Sequence, residues 1–315
     1  MNDEARPATT SAAAERPRTV GRRSKTARLY ASFIIVYVVW GSSFLAGHIG
    51  VRELPPLLFS AGRSLIAGAL LLSIAFYRRE RMPRTRRDWQ LMAFFALTMI
   101  LFSNGPAISA LQHLPSNEVA LLNSSIALWT CSLGTLGPRG QPLRFRSWVG
   151  LLLGFAGVAL LVWRGELRFD SHLGWQIVVV LGALSWAIGT IVYRNTALRL
   201  SPVAFNGVLM MLGALFLFLG GAATGELGDW HWDPTGMWAM VYLAIFASAL
   251  TYTAYAWLIK NARTDRVATF AYVNPAIATL LGWVVLGESL SPPQVLGMLV
   301  ILAGVALVTL PSRIA

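Results

Sequence analysis

Long apolar runs separated by short polar segments dominate this chain. From Tyr30 onward, ten predominantly apolar runs alternate with polar or basic connections. An α-helix needs about 20 apolar residues to cross a hydrocarbon core of roughly 30 Å, because each residue advances it by about 1.5 Å. Most of the runs reach or approach this length, so the pattern predicts a membrane helix for each. The predicted spans are residues 30–50, 56–77, 88–111, 116–136, 147–163, 173–193, 202–222, 236–259, 266–286 and 294–311.

Composition supports an all-α integral membrane protein. The 315 residues are 56% hydrophobic and 13% charged, whereas soluble domains are roughly 45–50% apolar and about 25% charged. Residues 1–29 differ from the rest, because they are polar, hold seven Lys/Arg residues and lack apolar periodicity. We expect them to form a disordered basic tail. The single cysteine, Cys131, excludes an intrachain disulfide.

The positions of the basic residues explain the net charge of +12 and predict an orientation. With a cytoplasmic N-terminus, 22 of the 26 Lys/Arg residues fall in cytoplasmic segments, three fall in outer segments, and Arg63 lies inside the second span. Basic residues concentrate on the cytoplasmic side of membrane proteins. We therefore expect a multi-pass protein of the cell (inner) membrane with both termini cytoplasmic, and no nucleic-acid partner.

The two halves of the chain repeat each other. Trp40 and Trp186 each follow an apolar run, at an offset of 146 residues, and the sequence Gly-Val-Ala-Leu occurs at 157–160 and again at 304–307. Each half would hold an odd number of helices, five, so the halves would enter the membrane in opposite directions. Such an inverted-topology repeat places a central site between the halves. The predicted repeats are residues 30–164 and 165–311.

Several short motifs carry a resemblance to a known family. They are Trp40-Gly41-Ser42-Ser43-Phe44 in the first span, Ala271-Tyr272-Val273-Asn274-Pro275 in the ninth, Gly287-Glu288 after it, and residues 302–307 in the tenth. This pattern resembles the EamA family of the drug/metabolite transporter (DMT) superfamily, and within it the YedA-like exporters. The resemblance covers residues 30–310. It implies a secondary transporter, without enzymatic activity, that exports small metabolites.

Polar and aromatic residues within the predicted helices form the candidate substrate site. Amides in hydrocarbon need partners, so we expect them to face the interior of the bundle. Aromatic rings together with amides suit an amino-acid-like or other small amphipathic solute. Helix packing is the alternative role for each tryptophan, and an interhelical hydrogen bond is the alternative for Asn123 and Asn274. The candidates are Trp40, Asn104, Asn123, Ser124, Trp186, Tyr272 and Asn274.

Arg63 is a charge inside a predicted membrane helix, roughly 10 Å below its outer end. A lone cation at the bilayer centre costs about 2.5–3.5 kcal/mol on insertion scales, so such residues are paired or functional. Two roles stay open: a structural charge pair with Glu118 at the outer start of the fourth span, or a site for an anionic group of the substrate. Tyr252 and Tyr255 are expected toward the cytoplasmic end of the eighth span, as gate or membrane-interface residues.

No catalytic, nucleotide-binding or metal-binding motif is visible. The four histidines lack ligand spacing and no phosphate-binding loop is present, so we expect no metal, no cofactor and no direct use of ATP. The alternative to a transporter is a membrane-embedded enzyme or lipid-handling protein, which would cluster His, Asp and Glu at one interface. The expected partners are a small-molecule substrate and the lipid bilayer. A monomer is expected, and the sequence leaves an oligomer open.

Overall fold

The computed structural model describes residues 18–114, 119, 122–136, 140, 142–162, 173–286 and 292–309. Within these ranges the chain is helical and contains no strand. A helical turn at Thr264–Ala268 precedes α9. We number the main helices α1 (Arg18–Glu53), α2 (Pro56–Tyr77), α3 (Arg86–Ala110), α4 (Ile126–Leu133), α5 (Phe145–Val162), α6 (Leu173–Asn195), α7 (Pro202–Ala223), α8 (Pro234–Asn261), α9 (Phe270–Leu286) and α10 (Pro292–Thr309).

Six of the described helices, α1, α2, α3, α6, α7 and α8, are long and apolar enough to cross a membrane. Shorter apolar stretches occupy Phe145–Gly157 in α5 and Val295–Val308 in α10. Large apolar side chains are exposed on the outside of the bundle, for example Leu152 at 57% and Leu302 at 60%. Lipid would cover such side chains, because acyl chains are as apolar as leucine. The predicted all-α membrane class is therefore confirmed, and the count of ten crossings stays a prediction.

Helix α1 begins well before the predicted first span. It starts at Arg18, so the prediction of a disordered tail is wrong for residues 18–29. Arg, Lys and Ala favour helix, and a helix already anchored in the membrane extends into water without a new nucleation step. The Arg28 guanidinium lies 4.8 Å from the centroid of the Trp257 ring. This cation–π contact stabilises the extension against α8.

Helices α3 and α8 each contain a π-helical segment at matching places in the two halves. The segments are Ala96–Leu101 and Leu243–Leu250. The sequence Asn104-Gly105-Pro106 would be expected to interrupt α3, but Phe102–Ala110 is α-helical through Pro106. Pro106 lacks the N–H that would bond the carbonyl four residues back, and the irregular part of α3 lies before it, in the π segment. In α9, Pro275 likewise lies inside a continuous helix.

The helices pair across the two halves in a reciprocal pattern. α1 packs against α8 and α9, and α6 packs against α3 and α4. α2 packs against α7, and α5 packs against α10. Each helix of the first half has a counterpart five helices later, so that α1 corresponds to α6 and α5 corresponds to α10. If every helix is replaced by its counterpart, the same set of pairs results. The space between α1, α3, α4, α6, α8 and α9 is therefore bounded by both halves.

Helices α5 and α10 approach each other through glycines. A Cβ atom on Gly150 would lie 2.7 Å from the carbonyl oxygen of Gly304, and one on Gly157 would lie 2.8 Å from that of Gly297. Gly297 and Gly304 lie 147 residues after Gly150 and Gly157. Each first-half glycine therefore contacts the repeat counterpart of the other first-half glycine. Small residues allow this close backbone approach. The resulting van der Waals packing stabilises the helix pair inside a bilayer, where the hydrophobic effect does not drive helices together.

Candidate functional site

A cavity of about 130 Å³ lies between the two halves. The first half lines it with α1, α2, α3 and the segment around α4, and the second half lines it with α6, α8 and α9. The first-half residues come from the later parts of α1 and α3 and the early parts of α2 and α4. The cavity therefore extends from the middle of the bundle toward the end where α1 joins α2 and α3 approaches α4.

Six of the predicted site residues lie around this one cavity. They come from six different helical segments, so the fold brings together positions up to 234 residues apart in sequence. The six are Trp40, Arg63, Asn104, Asn123, Trp186 and Asn274.

Two other predicted residues lie away from the cavity. Ser124 and Tyr272 are buried but do not line the cavity. The ring of Tyr272 packs on Gly154 of α5, and its hydroxyl has no hydrogen-bond partner among the described residues. Glu118 and Glu288 lie outside the described residues. The pairing of Arg63 with Glu118 therefore stays a prediction.

A cluster of five aromatic rings closes the inner end of the cavity. The ring centroids of Trp40 and Trp186, the repeat-related tryptophans, are 5.7 Å apart with an interplanar angle of 76°. Phe270 lies 4.9 Å from Trp40, and Tyr252 and Tyr255 lie 5.4 and 5.1 Å from it. Edge-to-face contacts at these distances are favourable for aromatic rings. We call these five residues the aromatic floor.

The polar atoms of the two tryptophans are satisfied within the bundle. The Trp40 indole N–H donates to the carbonyl of Ala247, 3.0 Å away in the π-helical segment of α8. A π-helical turn changes the backbone pairing and leaves carbonyls for side-chain donors. The Trp186 indole N–H donates to the Tyr255 hydroxyl at 2.9 Å. Both tryptophans thus pack the helices together and also line the cavity.

Tyr252 and Phe270 line the cavity although neither was a predicted substrate residue. Of the two roles expected for Tyr252 and Tyr255, the membrane-interface role is wrong, because both are buried in the aromatic floor, and the gate role stays a prediction. No pattern in the sequence indicated that these two tyrosines would be buried in the bundle. α8 is apolar on every side, so helical periodicity does not distinguish its interior face, and the π segment shifts the register of the residues that follow.

Arg63 is enclosed by the cavity wall and is only 8% exposed. Its terminal nitrogen Nη2 donates to Asn104 Oδ1, whereas its Nε has no partner among the described residues. The Tyr252 hydroxyl faces the same Asn104 side chain. The amide is neutral, so this hydrogen bond orients the guanidinium without neutralising it.

Asn274 joins the two halves at the wall of the cavity. In the orientation that satisfies its amide, the nitrogen donates to the carbonyl oxygens of Tyr37 at 3.2 Å and Phe270 at 3.1 Å. A second contact lies one turn away, where the hydroxyls of Tyr37 and Thr269 are 2.5 Å apart. The interhelical hydrogen bond foreseen as the alternative role of Asn274 is therefore present, in a residue that also lines the cavity.

The described part of the chain contains no group of three or more His, Cys, Asp or Glu residues arranged to hold a metal ion. The cavity instead offers one cation, several amides and aromatic faces. These groups can bind a small solute by hydrogen bonds, charge and stacking, and none of them forms a nucleophile–base pair of the kind that covalent catalysis uses.

Comparisons with known proteins agree with these features. A model of the EamA-like transporter family matches the chain twice, over residues 28–163 and 173–310. The uncharacterized inner membrane transporter YedA of Escherichia coli (strain K12) is 33% identical over 284 residues, which cover 90% of each chain. The uncharacterized transporter YvbV of Bacillus subtilis (strain 168) is 26% identical, covering 92% of this chain and 93% of YvbV.

Two further matches extend the comparison. A probable amino-acid metabolite efflux pump of Salmonella typhimurium (strain LT2) is 26% identical, covering 86% of this chain and 91% of the pump. A crystal structure that is 20% identical superposes with a TM-score of 0.76, covering 90% of this chain and 96% of the other. That likeness shows a shared fold. On the family match and the relationship to a YedA transporter, this chain is a membrane protein of the EamA-like transporter family.

Proposed function

We propose that the protein is a secondary transporter of the cell (inner) membrane that exports small amphipathic metabolites, such as amino-acid-like solutes, through the cavity between its halves. The observation that carries the proposal is the composition of this cavity. Both halves line it, and the repeat-related Trp40 and Trp186 meet at its floor. A ligand site between two repeats is where rocking of one repeat against the other gives alternating access.

We propose further that ten helices cross the membrane as two five-helix repeats of opposite topology. The reciprocal helix pairing supports this arrangement, as do the matching glycine contacts and the matching π segments of α3 and α8. The family model also matches once in each half, near the predicted boundaries. Both termini are then cytoplasmic, in agreement with the distribution of basic residues.

In this orientation the cavity faces the outer side and the aromatic floor lies between it and the cytoplasm. The floor is dense, since its members are all less than 9% exposed. A solute can pass only if the floor opens, which requires α1 and α6 to move apart from α8 and α9. One relative is named a probable amino-acid metabolite efflux pump, which supports outward movement of such solutes.

A comparison of culture media tests the proposal. Cells that overexpress the wild-type protein should accumulate at least one small amphipathic metabolite in the medium relative to cells that lack the gene. Asn123→Ala removes a cavity amide and should abolish the difference. Asn261→Ala is the matched control, because Asn261 is exposed and bonds only within its own helix in the described structure. Media that are indistinguishable across all strains would contradict export.

A further inference from the structure

We infer that Arg63 binds a single carboxylate group of the transported solute, so that the substrates are small monocarboxylates, amino acids among them. This inference rests on the proposed transport function and names the substrate class of the same cavity. It starts from the charge of Arg63, which the rest of the described structure leaves unbalanced.

The buried position of Arg63 favours binding of an anion. Its side chain is more than nine-tenths buried, and its Nε is a buried donor without a partner in the described ranges. No carboxylate of the described residues forms an ion pair with it, and its bonded neighbour, Asn104, is neutral. A buried charge is costly unless it is paired and hydrogen-bonded. A ligand that brings a negative charge would therefore gain both Coulomb energy and a hydrogen bond.

The guanidinium group selects a planar anion. Its N–H donors form a rigid fork that matches the two oxygens of a carboxylate. The Asn104 Oδ1 accepts a hydrogen bond from Nη2 and so orients the guanidinium group. The Nε is a further buried donor without a partner in the described ranges, and Arg63 lines the cavity.

The single positive charge of Arg63 selects a singly charged anionic group. Arg63 is the only charged residue among the described residues that line the cavity. A carboxylate would balance it, whereas a phosphate monoester would leave excess negative charge in a poorly solvated space. The volume of about 130 Å³ is below the roughly 300–1,000 Å³ of sites for drug-sized ligands, which favours a small molecule.

The aromatic part of the cavity wall suits an apolar or aromatic side group. Trp40, Trp186 and Phe270 present ring surfaces from the aromatic floor. Asn123 supplies an amide that can bond an amino or hydroxyl group. A carboxylate at Arg63 and an apolar group on the floor would thus orient a small amphipathic solute across the cavity.

The first test measures the melting temperature of the purified ligand-free protein in detergent. Arg63→Gln removes an unbalanced charge, so it should keep or raise the melting temperature. Arg52→Gln is the matched control, since Arg52 is exposed at the end of α1. If Arg63→Gln lowers the melting temperature and the double variant with Glu118→Gln restores it, Arg63 is a structural partner of Glu118 and the inference is overturned.

The second test adds ligands. The probes are the common L-amino acids and their carboxamides, which lack the negative charge. At least one amino acid should raise the melting temperature of the wild-type and Arg52→Gln proteins, and its carboxamide should not. Arg63→Gln should weaken the apparent affinity roughly tenfold or more, as expected for loss of a charge-assisted hydrogen bond. Equal stabilisation by the carboxamides, or none by any amino acid, would overturn the inference.

Flux measurements separate this inference from the proposed function. Proteoliposomes that transport amines or alcohols but no carboxylate would support transport and overturn the role of Arg63. A carboxylate that stabilises the wild-type protein through Arg63 but does not cross the liposome membrane would support the site and contradict transport.

Discussion

Trp40 shows how one residue serves both the fold and the site. Its ring contacts four other aromatic rings, and its indole N–H bonds a backbone carbonyl that the π-helical segment of α8 leaves available. The same ring forms part of the cavity surface. Its loss would therefore affect stability and transport together, and only a graded substitution separates the two effects.

Two substitutions at Trp40 should differ in size. Trp40→Phe keeps most of the ring but loses the hydrogen bond to Ala247, which should cost about 1 kcal/mol. Trp40→Ala also leaves a large void and should cost about 3–5 kcal/mol. Thermal unfolding in detergent measures both, with Trp238→Ala as control because Trp238 is 75% exposed. An unchanged stability of Trp40→Ala would contradict the described packing.

The sequence predicted six of the eighteen residues that line the cavity, and the reasons differ between residues. Trp40 and Trp186 were recognisable because the repeat relates them, and the asparagines because amides in an apolar helix need partners. Phe270 and Tyr252 were not recognisable. An aromatic residue in a helix that is apolar on all sides can equally face lipid, and only the packing of α8 and α9 against α1 turns these two inward.

At the scale of the helices, apolar length predicted where most of the described elements lie. It did not predict where they deviate from regular helix. The start of α1 at Arg18 depends on contacts of the basic segment before the predicted first span, such as Arg28 with Trp257. The π segments of α3 and α8 depend on tertiary contacts. Ser185, for example, donates at 2.9 Å to the carbonyl of Thr98 within the α3 segment.

The interface of α5 with α10 gives a prediction for paired glycines. Gly150→Ala and Gly304→Ala should each lower stability by about 1–3 kcal/mol, because the added Cβ atom would meet backbone atoms of the opposite helix at 2.6–2.7 Å. Gly174→Ala is the matched control, since nothing lies within 4 Å of its added Cβ. Melting temperatures in detergent should fall for the first two variants. Alanine favours helix over glycine, so a loss as large in Gly174→Ala would contradict the explanation by backbone contact.

At the scale of the whole molecule, the basic residues predict the orientation in the membrane. Reporter fusions after Arg28 and at Ala315 should both report a cytoplasmic location, because 22 of 26 Lys/Arg residues then lie inside. A fusion in the α3–α4 connection, such as after Gln112, should report the outer side. An outer signal from either terminal fusion would overturn the ten-helix arrangement and the inverted repeat.

The reciprocal packing of the halves also relates structure to transport. The helix pairs are unchanged when the halves are exchanged, so the inverted repeat would allow a second state in which the cavity opens to the opposite side. The contacts that must change lie around the aromatic floor, between α1 and α6 on one side and α8 and α9 on the other. The α5–α10 and α2–α7 pairs can stay in place and act as the supports of this motion.

Flux through purified protein tests the central claim, transport through the cavity between the halves. The solute identified in the medium of overexpressing cells would be loaded into proteoliposomes that contain wild-type, Asn123→Ala or Asn261→Ala protein at equal amounts. Wild-type and Asn261→Ala vesicles should release the solute well above protein-free vesicles, whereas release through Asn123→Ala should fall at least roughly tenfold, as for loss of a solute hydrogen bond in an enclosed site. Wild-type vesicles that retain the solute as protein-free vesicles do, or Asn123→Ala vesicles that release it at the wild-type rate, would contradict the claim.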